Sequence, residues 1–330
     1  MWDAGFFDAP VWAALAAACA PLVALGIDKL WGEPPEPLHP VTWMGLALGW
    51  CGNGLAPFSP RARDIKGFWL GALAWCVLAA LAVALAVGLQ WLAWQLPAPL
   101  AALALGALLK PLLAWRMLRR EVRAVEQALA QSLRAGRKRA ARLVSRDVAE
   151  LDDVQVREAA IESLAENFCD SVVGPLFWFA LLGLPGAALY RFANTADAMW
   201  GYPGMHEGRY WQWVGKWAAR ADDVLSWLPA RLAALLLAWA ARSRLSRRML
   251  ARQARKTPSP NGGWPMAALA LALGVRLTKP GVYALNRRGR LADPVDTHRA
   301  IMLTAHALTL LAPLAAAAAG LRCLLTGGLL

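Results

Sequence analysis

Apolar residues fall in long blocks along this chain, and the polar ones are bunched between them. Four blocks, 11–27, 67–92, 97–115 and 300–325, are candidates to cross a hydrocarbon core, which takes about 20 helical residues. Pro97 and Pro99 turn the chain between the second and third, so these two are expected to form a tight hairpin. Two further blocks, 172–192 and 225–241, are interrupted, one by Gly183-Leu184-Pro185-Gly186 and the other by Pro229 with Arg231. Each either spans or is re-entrant. The second form is favoured, because broken backbone at membrane depth is tolerated where protein or a wet cavity covers it. The block 264–275 is too short to cross. The pattern predicts an all-α, polytopic helical membrane protein with re-entrant or half-buried helices, organised as a single integral membrane domain over 1–330.

Between Arg116 and Asp170 the pattern changes. Val122, Val125, Leu129 and Leu133 recur at helical spacing among many arginines, so 116–170 is expected to be a cytoplasmic amphipathic helical insertion. Composition agrees with a bilayer as solvent: 58% of residues are hydrophobic, 17% are charged, and the mean hydropathy is +0.38. The net charge of +13 sits between apolar blocks, where the positive-inside rule places cytoplasmic loops, and no nucleic-acid motif accompanies it. Nucleic acid is therefore excluded as a partner.

Asp3 and Asp8 precede the first block and Lys29 follows it, which argues for a retained helix whose start faces away from the cytoplasm. The loop 28–66 is then cytoplasmic, and the chain is expected to be a multi-pass protein of the cell inner membrane with its polar motifs, and so its active face, on the cytoplasmic side. Trp69, Trp91, Trp94, Trp115 and Trp239 flank apolar blocks, where indoles favour the interface. The five cysteines have no metal-ligand spacing, and no disulfide framework is expected.

Four polar clusters adjoin apolar blocks, where charge is costly and usually functional. Asp28 to Pro35, with Leu38-His39-Pro40-Val41, makes a stiff loop whose Asp28 and Glu33 either hold a cation, orient a base or cap the following structure. On a helix, Glu162, Glu166 and Asp170 stack at i, i+4 and i+8, an arrangement that needs a compensating Arg or a divalent ion. Their oxygens suit Mg²⁺ shared with phosphates; a solvated stripe paired to the preceding basic segment is the plainer alternative. Arg191 beside Asn194 and Asp197 looks like an anion site coupled to a cation site, and Lys216, Arg220, Asp222 and Asp223 continue that mixture. The plainer account of Arg220 and Asp222 is a surface pair of little energetic value. Thr257 to Pro265, with Asn261 and two glycines, leads into a short helix whose N-terminus could bind an anion or simply punctuate a loop.

These clusters resemble the CobD/CbiB family, the adenosylcobinamide-phosphate synthases of cobalamin biosynthesis. The resemblance rests on the Asp28–Glu33-Pro-Pro loop with Leu38-His39-Pro40-Val41, on Ile161 to Phe168 with Asp170, and on Gly174-Pro175-Leu176-Phe177-Trp178. It continues through Gly183-Leu184-Pro185-Gly186 to Tyr190-Arg191, Asn194 to Tyr202, Ala219 to Val224, Pro229 to Leu232, and Pro258 to Pro265. One stretch departs: Leu277-Thr278-Lys279-Pro280 stands where the family usually has a Leu-Gly-Gly-like sequence.

The resemblance implies an ATP-dependent amide ligase that joins a carboxylate of adenosylcobyric acid to aminopropanol, its phosphate or a related amino alcohol phosphate. It implies ATP and Mg²⁺, with Glu166, Asp170, Asp197, Asp222 and Asp223 as metal ligands. Arg191, Lys216, Arg220 and Arg231 would hold phosphates, and Asn167, Asn194 and Asn261, with the Asp28 and Glu33 loop, would bind substrate. Glu162 or His39 would take the amine proton. The expected partners are the corrinoid, the amino alcohol and the lipid bilayer. A homo-oligomer or an association with other corrinoid-pathway membrane enzymes is compatible with this reading. The rivals are a non-catalytic regulator or scaffold of the same fold, and a transporter; the latter should show internal repeats, which the apolar blocks lack.

Overall fold

A computed structural model describes residues 9–242 and 245–327; Asp3 and Asp8 lie outside the described residues. The chain is an all-α polytopic membrane protein, and among the described residues five helical stretches are long and apolar enough to cross a bilayer. Its helices are α1 (Ala9–Leu30), α2 (Pro40–Leu55), α3 (Ile65–Trp94), α4 (Ala98–Leu109), α5 (Trp115–Leu129), α6 (Leu133–Ala140) and α7 (Asp153–Phe168). They continue with α8 (Gly174–Trp200), α9 (Lys216–Leu225), α10 (Trp227–Ala240), α11 (Arg247–Ala254), α12 (Gly263–Leu273) and α13 (Pro294–Leu325). Two small antiparallel hairpins, β1–β2 (Met205–His206 with Arg209–Tyr210) and β3–β4 (Leu277–Lys279 with Tyr283–Leu285), interrupt them.

The chain divides into two compact units, each drawn from separate stretches. The first comprises residues up to Leu113, Gly174–Ser226 and Leu314 onward; the second comprises Ala114–Val173 and Trp227–Pro313. The chain leaves the first unit after α4 and returns to it at α8. The expected insertion 116–170 is three helices, α5 to α7, inside the second body.

In the first unit α3 shows what lipid demands. Trp69, Leu73, Val77, Leu81 and Leu85 are exposed along it, while Gly67, Gly71, Ala72, Trp75 and Ala79 are buried. Large apolar side chains outside, and mostly small ones around the single Trp75 inside, suit a helix solvated by hydrocarbon on one face and packed on the other. The expected loop 28–66 contains α2, which starts where the His39 Nδ1 accepts from the Val41 N–H and Pro40 occupies the first turn. Among the tryptophans expected at interfaces, Trp69, Trp91 and Trp239 are exposed, whereas Trp115 is a core residue packed edge-on against Phe168.

The block 172–192 does not run straight. Gly183 has φ +70° and ψ −157°, a backbone region open essentially to glycine alone. There the helix reverses: a Cβ on Gly174 would strike the Tyr190 ring, and one on Gly186 would lie 2.5 Å from the Trp178 carbonyl. Residues sixteen apart along a straight helix would be about 24 Å apart. The two arms are therefore antiparallel neighbours, and the chain enters and leaves this hairpin at the same end. Gln90 of α3 receives its tip, accepting the Leu184 N–H at 2.8 Å.

In the second unit α7 is almost wholly buried, from Val156 to Ala165. A capping box of Asp152 and Gln155 starts it. Arg157 anchors it through a two-pronged ion pair to Glu126 of α5, at 2.9 and 3.0 Å, and Thr297 donates to the same carboxylate at 2.7 Å.

Candidate functional site

The polar residues singled out in the sequence gather into distinct clusters within each unit. In the first unit, the stiff loop after α1 is organised by a lysine that the sequence reading passed over. Lys110, 3% exposed at the end of α4, lies 2.8 Å from Glu33 and 3.4 Å from the buried Asp28. His39 Nδ1 is occupied by the Val41 N–H, so its Nε2 carries the proton and donates to Glu33 at 3.2 Å. Burial opposes the charge on Glu33, but the hydrogen bonds from His39 and Lys110, with the Lys110 charge, outweigh it and hold the carboxyl below its ordinary value. This cluster is a closed network of two acids and two cations or donors.

The second cluster of that unit lies on α8 and α9. Asn194 Oδ1 accepts from Arg191 at 3.4 Å, and the same side chain hydrogen-bonds Asp222. Asp222 also accepts from Ser226 at 3.3 Å, and Ser226 meets the Tyr190 hydroxyl at 3.2 Å. Asp197 and Asp223 are close enough to repel the Asp222 charge. Arg220 pairs with Asp223 at 3.3 Å while remaining largely exposed, and Lys216 lies over the Trp213 ring at 4.5 Å. Gly201 lets α8 end against its own acid, since a Cβ there would collide with Asp197. Arginine, asparagine and paired aspartates are thus brought together as the sequence spacing suggested.

In the second unit the acidic stripe is shifted by one turn from expectation. The charges acting on Glu162 are those of Arg146, Glu166 and Glu158. Past Phe168 the helix becomes a π turn, Cys169–Val173, so the pitch assumed for Glu162, Glu166 and Asp170 does not continue to Asp170. Glu158, fully buried, is the member that was missed. It accepts from the Thr278 N–H at 2.9 Å and from the Thr278 hydroxyl, with Arg276 at 3.6 Å. Glu162 is ion-paired to Arg146. The Tyr283 hydroxyl lies beside the Glu162 carboxylate and also contacts the Met266 sulfur at 3.8 Å. Glu166 opens onto a cavity of about 120 Å³ that it shares with Arg146, Glu162, Lys279 and Tyr283. Lys279 and Arg146 are the cations acting on Glu166. Burial, then Glu162 and Glu166, push the Tyr283 phenol above its ordinary value, which keeps it a proton donor. The Thr278-Lys279 departure therefore supplies a donor and a charge to this stripe.

Asn167 turns its amide to the Ser163 carbonyl and hydroxyl, at 3.0 and 3.1 Å. Arg231 is clamped between the rings of Trp227 and Trp264, and donates to Asn261 at 2.7 Å and to the Trp227 carbonyl at 2.8 Å. Its contacts within the fold make it a positioning residue for the Pro258–Gly263 loop. That loop approaches α7 closely: a Cβ on Gly262 would sit 3.0 Å from a Glu166 oxygen.

Among the described residues no three His, Cys, Asp or Glu side chains are grouped to cage a metal. The five acids proposed as ligands are thus divided, Asp197, Asp222 and Asp223 in one unit and Glu166 and Asp170 in the other. Mg²⁺ commonly takes one or two carboxylates and completes its shell with water and phosphate. The mutual repulsion of Asp197 and Asp222 is what such an ion would relieve, so the pair fits it.

The fold and these clusters define a multi-pass helical membrane protein carrying buried charged networks of the kind found at catalytic or transport sites. Residues 21–309 match the family model described as CobD/Cbib protein. The chain belongs to the CobD/CbiB family. It is 42% identical over 281 residues to the "Probable cobalamin biosynthesis protein CobD" of Methanothermobacter thermautotrophicus, covering 83% of this chain and 86% of the relative. It is 38% identical over 301 residues to the "Cobalamin biosynthesis protein CobD" of Rhodobacter capsulatus, covering 87% and 92%. The protein of the same name from Brucella suis is 36% identical over 321 residues, covering 90% and 95%. No solved structure matches the chain.

Proposed function

We propose that this protein acts in cobalamin biosynthesis as an ATP-dependent amide ligase, joining a carboxylate of adenosylcobyric acid to aminopropanol, its phosphate or a related amino alcohol phosphate. Membership of the family and the names of its relatives support the pathway. The observation that carries the chemistry is the Asn194 relay, one amide tying Arg191 to Asp222 beside Asp197.

A carboxylate is a poor acyl donor. Attack of its oxygen on the terminal phosphorus of ATP would give an acyl phosphate and ADP, and attack of the amine would then expel phosphate and release a proton. Asp197 and Asp222 would hold Mg²⁺, which supplies charge neutralisation to phosphate oxygens when bound. Arg191, kept in place by Asn194, would bind phosphate, with Lys216 and Arg220 as further cations of the same unit. Glu162 or His39 would take the amine proton; each is already engaged in its own unit, Glu162 by Arg146 and His39 by Glu33 and the Val41 N–H. The expected setting is the cytoplasmic face of the inner membrane, where ATP is available.

The test is a ligase assay on detergent-solubilised protein with adenosylcobyric acid, MgATP and aminopropanol or its phosphate, following the corrinoid mass. Amide product that needs both ATP and Mg²⁺ is expected, with losses in Asp197→Asn and Asp222→Asn. Full activity in both variants would sink the metal assignment. A folded protein that binds corrinoid yet forms no product with any amino alcohol would favour the regulator or scaffold.

A further inference from the structure

A second concave site in the unit containing α11 is lined by charge of one sign. Arg248, Arg252 and Lys256 fall at i, i+4 and i+8 on α11 and its end, and Arg287 and Arg288 face them from the turn after β4. Together they surround a cavity of about 560 Å³ whose lining contains no acidic side chain. Among the described residues none of the five makes an ion pair. Their charges are left to repel one another, a cost that a bound anion removes.

The positive-inside pattern alone would account for scattered cations on a helix. It does not account for the way the opposing wall is built. Asn286 is held at φ +45°, an uncommon conformation for a residue other than glycine. Three hydrogen bonds fix it there: its N–H to Gln253 at 3.0 Å, and its amide to the carbonyls of Val275 at 3.0 Å and Ala270 at 3.3 Å. Lys256 also reaches across to the Ala284 carbonyl at 3.2 Å. The corner thus fixes the backbone of Arg287-Arg288 against α11. A comparable basic cavity along α5, about 540 Å³, includes Arg139, which Glu121 already neutralises at 2.7 Å.

We infer that the α11 basin is a binding site for a multiply charged phosphate group, either a free polyphosphate moiety or the headgroup of an anionic phospholipid. Guanidinium forks match phosphate oxygens in pairs, and five cations around one cavity suit a group carrying more than one negative charge.

The probe is inorganic pyrophosphate, titrated into the full-length detergent-solubilised protein at 150 mM salt, with no corrinoid, amine or nucleotide present. A failed ligase assay therefore leaves this measurement intact. Arg252→Gln combined with Arg288→Gln should weaken pyrophosphate binding at least tenfold, while Arg116→Gln with Arg120→Gln, in the α5 cavity, should change it less than twofold. Thermal unfolding of each variant checks that the fold is kept. If the double variant does not fold, Lys256→Gln alone is the substitute, with a threefold or larger loss expected. Repeating the titration in nanodiscs of phosphatidylcholine with and without cardiolipin, whose headgroup carries two phosphates, separates the sources. Competition by cardiolipin only in the protein with an intact basin identifies a headgroup, and equal binding in both lipids identifies a free phosphate. No pyrophosphate binding by the unmodified protein, or an equal loss in the α5 control, would overturn the assignment.

Discussion

The two units treat buried carboxylates differently. On α7, each glutamate of the stripe is matched by a partner: Glu158 by Thr278 and Arg276, Glu162 by Arg146, Glu166 by the charges of Lys279 and Arg146. On α8 and α9, Asp222 is held by neutral donors, Asn194 and Ser226, near two further acids, Asp197 and Asp223, the second of them paired with Arg220. The first arrangement gives every acid a cation or a donor, around one cavity that opens onto Glu162 and Glu166. In the second, the direct hydrogen-bond partners of Asp222 are neutral and Asp197 and Asp223 add like charge, which a cation would relieve. Equal numbers of acids in a motif thus need not mean equal roles, and the neighbours decide.

The comparison breaks most visibly at Arg146. Arg146→Ala strands the Glu162 carboxylate, whose side chain is 4% exposed. Stability in detergent should fall by about 3–5 kcal/mol, the usual cost of unpairing a buried charge, as read from thermal or denaturant unfolding. The aspartates should answer in the opposite sense. Asp222→Asn or Asp197→Asn should cost amide formation about 10²-fold or more, the scale of losing a preorganised charge at a reacting centre, while leaving thermal stability level or raised. Aspartate variants that lower thermal stability but keep turnover would invert the roles assigned to the two clusters.

A smaller effect is expected at the hairpin tip. Gly183→Ala should destabilise the protein by about 1–3 kcal/mol, from the backbone conformation and the collision with Gln90 and Arg322. The smallest is a pH effect at the Asp28–Glu33 loop. The folded Glu33 carboxyl titrates below its unfolded value, so its contribution is complete above that unfolded value, near 4.5, and fades as the pH falls through the folded one. Glu33→Gln should flatten this part of the acid branch of a stability profile, and an unchanged branch would remove Glu33 from the network.

The apolar blocks were readable because bilayer thickness imposes a length: blocks 11–27, 67–92 and 300–325 lie within α1, α3 and α13, while block 97–115 holds the shorter α4 and the turn after it. The polar clusters were readable where the residues are close in sequence, as with Arg191, Asn194 and Asp197. Lys110 carried a signal that was available, a lone charge inside an apolar block. Glu158 stands four residues before Glu162 and could have been found by extending the stripe backwards. Arg146, Lys279 and Tyr283 could not be placed, since only tertiary packing brings them to the same cavity. The two-unit division was hidden for a related reason: neither body is continuous in the chain, and hydropathy reports local sequence only.

The reversal at Gly183 also sets an order of assembly during synthesis. Gln90 precedes Leu184, whose N–H it accepts, by 94 residues. At roughly 5–20 residues per second the ribosome makes the acceptor about 5–20 s before its donor. Helix α3 is then available as a receiving surface when the hairpin emerges, and the guanidinium of Arg322 reaches the same tip only with the last turns of α13. A nascent chain halted between α8 and α13 would carry a seated hairpin that lacks its final neighbour.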